Sequence, residues 1–117
     1  MSIFDLAQSA QDELAQRAYL RRVEVLDQST SLIKLRLQIA PDLFVQIYRN
    51  DRFDTTNFVL IHNGQRLYAR DQVGGRWHRH ALAHPEQHDT SPEGRRPIDL
   101  PAFLDEVETI LATLDLP

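Results

Sequence analysis

Along residues 31–39, SLIKLRLQI, apolar Ile33, Leu35, Leu37 and Ile39 alternate with polar Lys34, Arg36 and Gln38. A period of two marks a strand with one buried face. Val23 and Val25 alternate with Arg22 and Glu24 in the same way, ahead of a polar QSTS turn at 28–31. Leu43, Val45 and Ile47 alternate with Phe44, Gln46 and Tyr48 after the Pro41-Asp42 corner. Next, FVLIHNGQRLYAR (58–70) contains Asn63-Gly64, a pair suited to the positive φ angles of a type I′ hairpin. After Asp71 the stretch QVGGR turns, and 76–83 continues as a fifth or sixth strand. Every connection is short, which predicts an antiparallel meander.

The period changes at both ends of the chain. Leu6, Ala10, Leu14 and Ala18 recur at the i+4 step, so residues 2–20 are expected to form a helix, with Ser2 and Asp5 as a capping box. Leu100, Phe103, Leu104, Val107, Ile110, Leu111 and Leu114 trace one helical face, with Asp99 as N-cap and Pro101 in the first turn. The acids at 105, 106 and 108 fall on the opposite face, where water solvates them. The expectation is a single α+β domain over 1–117: an antiparallel meander of five to six strands, with N- and C-terminal helices packed on one face. Residues 84–97, with three prolines, read as a long surface loop.

Composition narrows the classes. Hydrophobic residues make up 42% and charged residues 26%, values of a globular chain. No apolar run is long enough to span a bilayer, and the start lacks a signal peptide's basic and apolar regions. The absence of cysteine excludes disulfides and thiolate chemistry and places the expectation in the cytoplasm. A net charge of −4 excludes a generic nucleic-acid coat, but the acids gather at the two ends. The middle is basic, with six arginines between residues 66 and 96.

If the apolar positions face the helices, Lys34, Arg36, Phe44 and Tyr48 face away. Bases interleaved with aromatics on a sheet can neutralise and stack single-stranded nucleic acid, and Phe44 and Tyr48 would equally suit a homodimer or another partner. Trp77 reads as an anchor for a strand end or as a stacking platform.

Four of the five histidines lie within WHRHALAHPEQH, residues 77–88. On a strand His78 and His80 share a face, about 7 Å apart by the strand rise. Pro85 starts a turn that can fold His84 and His88 back toward them. Three chemistries are open to this cluster. His78, His80, His84 and His88, with Asp71 or Asp89, can hold a divalent metal such as zinc. Alternatively, His78 and His80 are a general acid and base for RNA cleavage, with Arg70, Arg76 or Arg79 stabilising the phosphate charge and no cofactor needed. In that arrangement Arg70-Asp71 sits where the cluster can meet it, whereas Arg79 points away from both histidines unless a bulge intervenes. The third chemistry is structural: imidazoles hydrogen-bonded to the loop.

The order of strands, Tyr68-Ala69-Arg70-Asp71, a turn, the His-rich strand and loop (Trp77, His78, His80, His84, His88) and a closing acidic helix (Phe103 to Leu111) resembles the TumE-like family of small bacterial proteins. Members are toxins of type II toxin–antitoxin pairs, encoded beside a helix-turn-helix antitoxin. The family pattern runs Arg-x-Asp-Asn before paired histidines; here Arg70 and Asp71 are contiguous and Gln72 takes the Asn position. The chain is also similar to uncharacterised bacterial proteins sharing the GGRWHRH stretch. The resemblance implies growth inhibition through RNA and a neutralising partner, with the acidic helix 99–115 as its docking element.

Overall fold

The computed structural model describes residues 1–117 as six strands flanked by two helices. The strands are β1 (Arg22–Gln28), β2 (Leu32–Ala40), β3 (Leu43–Asn50), β4 (Thr55–His62), β5 (Gln65–Val73) and β6 (Arg76–His80). They form one sheet in the order β1-β2-β3-β4-β5-β6, each antiparallel to the one before. The alternation therefore became a meander, as the short turns dictate. Asn63 (φ 52°) and Gly64 (φ 75°) make the tight turn between β4 and β5, and Gly74 (φ 56°) and Gly75 (φ 83°) that between β5 and β6. The last strand stops at His80 rather than 83, because the chain turns at Ala81 to enter the loop.

Helix α1 (Ile3–Gln16) opens with the expected capping box: Ser2 Oγ accepts from the Asp5 amide, and Asp5 Oδ2 from the Ser2 amide. It ends before Ala18, and its buried face is Ile3, Leu6, Ala10 and Glu13. A pure i+4 series drifts around the axis, so the 3-4-3 stripe is the one that stays against the sheet. Glu13 is buried because Arg17 Nε donates to it at 2.6 Å. The same guanidinium donates to Asp105 and Glu108 of the second helix, joining the two helices.

Helix α2 (Leu100–Leu114) has Asp99 as N-cap, its carboxylate accepting from the Ala102 amide at 2.9 Å. Leu100, Phe103, Leu104, Val107, Ile110 and Leu111 are buried as their spacing requires. They meet Ile33, Leu35, Leu37, Val45, Ile47, Phe58 and Leu60 in one core of 22 buried residues. No helix is long and apolar enough to cross a membrane.

Two positions depart from the simple division into core and solvent. Glu106 is not solvated like its neighbours: its carboxylate takes Arg70 Nε at 3.0 Å and Nη2 at 2.7 Å, and the Tyr68 hydroxyl at 2.8 Å. Arg70, fully buried, also donates to the Glu93 carbonyl at 2.7 Å. A buried cation needs such pairing, and this one fixes α2 and the 84–97 loop to β5.

Candidate metal and acid–base site

The site follows from strand parity and register. The Gly74-Gly75 turn sets Val73 against Arg76, and counting back places Gln72 against Trp77 and Asp71 against His78. Tyr68, Arg70, Trp77 and Arg79 take the helix-covered face, so Asp71, His78 and His80 take the outer one. Trp77 packs beside Phe58, ring centroids 6.2 Å apart, and is the core anchor of β6.

The chain then comes back alongside β6. Arg79 and Asp89 form an antiparallel bridge, with amides at 3.2 and 2.6 Å from the opposing carbonyls. In that register residue 88 lies across from residue 80, and His88 reaches the outer face beside both strand histidines. Its ring lies 4.3 Å from that of His78 and 4.7 Å from that of His80, centroid to centroid. One nitrogen from each of His78, His80 and His88 falls within 4.8 Å of the others. Asp71 stands beside two of the three: its Oδ2 is 3.4 Å from His78 Nε2 and 3.2 Å from His80 Nε2. Asn57, opposite Asp71 on β4, donates to the other carboxylate oxygen.

The electrostatics favour neutral groups at the base of the cluster. Burial raises the Asp71 carboxyl above its ordinary value, against the pull of His80 and His78. Burial lowers the His80 imidazole, the Arg66 cation adds to that, and Asp71 opposes it. His80 Nδ1 is buried without a hydrogen-bond partner.

Other sequence candidates lie elsewhere. His84 sits in the turn after β6, exposed, and does not join the other three; the Pro85 turn folds back His88 alone. Arg70 is on the opposite face and fully engaged by Glu106 and Glu93, so it cannot clamp a phosphate beside the histidines. Arg79 also points away, because β5 and β6 pair without a bulge, and its guanidinium is taken by Asp89 at 2.6 and 2.9 Å. On β2 and β3, Arg36 stacks over the Phe44 ring at 4.0 Å, while Glu24 and Asp27 of β1 stand against Arg36 and Lys34. Lys34 is itself paired with Tyr48. Neither Lys34 nor Arg36 forms an ion pair with Glu24 or Asp27, and Glu24 is taken by Arg22 at 2.8 Å.

Arg66, Arg95 and Asn57 escaped the sequence reading. Asn57 requires the β4–β5 register, and Arg95 requires the path of the loop. Arg95 and Arg76 line a cleft of about 560 Å³ together with His78, His88 and Thr90. No family model, curated protein or solved structure matches this chain.

Proposed function

We propose that Asp71, His78, His80 and His88 form a binding centre for a divalent transition metal of the zinc class. The observation that carries this reading is the meeting of three imidazole nitrogens within 4.8 Å on one sheet face. Two further distances agree. Zinc bonds of 2.0–2.2 Å to nitrogen and oxygen imply ligand–ligand separations of about 3.3 Å in a tetrahedron. The Asp71 carboxylate oxygen stands 3.4 and 3.2 Å from its two histidine partners. The neutral state favoured by burial suits His80 as a ligand, and a cation would draw the proton from Asp71.

The test is a titration of the chelator-treated protein with Zn²⁺ and Co²⁺. One equivalent of bound metal, the visible bands of tetrahedral Co²⁺, and loss of both in His88→Ala are the expected result. His88 is exposed, so that variant should fold. Absence of stoichiometric metal in folded parent protein would sink the reading.

A second reading is favoured by the resemblance to TumE-like toxins together with the arginines around the same histidines. Here the chain arrests growth by acting on RNA, His78 and His80 exchange protons without metal, and a helix-turn-helix antitoxin neutralises it. Induction in a bacterial host of the parent beside a folded His78→Ala/His80→Ala variant tests this. Arrest by the parent alone supports it; normal growth with well-expressed parent removes it for that host.

A further inference from the structure

The cleft beside the histidines is basic. The chain is acidic overall, yet Arg76 and Arg95 line this cleft and no carboxylate does. Six arginines are paired with acids: Arg17, Arg22, Arg49, Arg70, Arg79 and Arg96. Neither Arg76 nor Arg95 has an ion-pair partner. Both are anchored by their backbones, Arg76 at the start of β6 opposite Val73 and Arg95 by its amide to the Ser91 carbonyl at 2.9 Å. Thr90, His78 and His88 line the same cleft.

Two guanidiniums, which can only donate, beside a hydroxyl and imidazoles that can also donate, suit a multidentate oxyanion. We propose that this cleft is a subsite for a phosphate group, held by Arg76 and Arg95, with one phosphate oxygen directed toward the histidine centre. The subsite deepens the reading of that centre as a metal site, but its two arginines are separate from the four metal ligands. The phosphate can belong to a free monoester or to the backbone of a single-stranded nucleic acid, since both present the same unesterified oxygens.

Binding at the cleft is read by isothermal titration calorimetry. The zinc-loaded protein is titrated with inorganic phosphate and, separately, with a short single-stranded uridine oligonucleotide. Phosphate should bind, and Arg76→Gln/Arg95→Gln should weaken it roughly tenfold, a loss sized for solvent-exposed charge-assisted contacts. Arg52→Gln, an exposed arginine outside the cleft, should leave it unchanged. A backbone ligand is indicated if the oligonucleotide binds more tightly than phosphate and the double variant reduces its log–log salt slope by about 1.4, the value for two contacts on a single strand. A free ester is indicated if it binds no more tightly.

Phosphate binding that the double variant leaves intact overturns the subsite, as does the absence of binding by both probes. Repeating the titration after chelation separates the two readings. Arginine-dependent phosphate binding in protein that takes up no zinc keeps the subsite and rejects the metal. Stoichiometric zinc without a phosphate response does the reverse.

Discussion

Asp71 on β5 stands opposite His78 on β6, and its Oδ2 is 3.2 Å from Nε2 of His80, two residues further along the same strand. One carboxylate therefore addresses both strand imidazoles, whether as a ligand beside them or as the acceptor that orients them. In either role its charge matters more than its shape. Asp71→Asn should keep the fold and lower zinc affinity by about 10- to 100-fold. Competition with a chelator of known affinity measures this; unchanged affinity would remove Asp71 from the centre.

Arg70 has the opposite character. Its guanidinium is fully buried and satisfied by α2 and the loop, so its substitution should show in stability rather than in metal or anion binding. Arg70→Ala leaves the partly buried Glu106 carboxylate without its cation and should cost about 3–5 kcal/mol in urea unfolding. Zinc stoichiometry at low temperature should persist. A stable Arg70→Ala variant that has lost zinc binding would contradict this assignment.

The loop that delivers His88 is held by carboxylates whose acidity responds to that duty. Hydrogen bonds from Ser91, with Arg79 beside them, hold Asp89 below its ordinary value of 3.8; Arg96 and then Arg70 hold Glu93 below 4.5. Depressed carboxylates contribute stability above their unfolded values and lose it as the pH falls through the folded ones. The loop should therefore stay closed at pH 5 and open in stronger acid, below pH 3.8. Amide exchange across 84–97 should rise there before exchange in β2 and β3. Simultaneous opening of loop and sheet would count against a separate acid-sensitive tie.

Gly94 offers a test at neutral pH. A Cβ at this buried position would run into the backbone carbonyl of Asp89, which cannot yield without moving the bridge to Arg79. Gly94→Ala should displace His88 and weaken zinc binding at least as much as His88→Ala does, with Trp77 fluorescence still reporting a folded core. Zinc affinity equal to the parent's would show that His88 is placed by something other than this bridge.

The parts of the site legible in the sequence were those set by local geometry. Alternation placed His78 and His80 together and put Arg79 on the far side. The two-glycine turn carried the facing of Asp71 and His78 as well, since a two-residue hairpin fixes register by counting back. Arg70 was open to the same reasoning: it shares parity with buried Tyr68, so a phosphate role on the histidine face was ruled out by the strand itself. What stayed hidden depends on a contact across the strand edge. Nothing local distinguishes His84 from His88; only the Arg79–Asp89 bridge brings one back and leaves the other in solvent. Glu106 was hidden for a similar reason, because helical periodicity sorts apolar from polar residues but cannot reveal a buried cation waiting opposite.

Because each strand pairs with the one just before it, the sheet can grow in step with synthesis, hairpin upon hairpin. Its inner face has no such early partner at β5. Arg70 is already in place there when β6 forms, while Glu106 arrives only with α2, the final element. The nascent sheet thus carries, one strand in from its edge, a cation whose partners, Glu93 and then Glu106, both come from segments made after it.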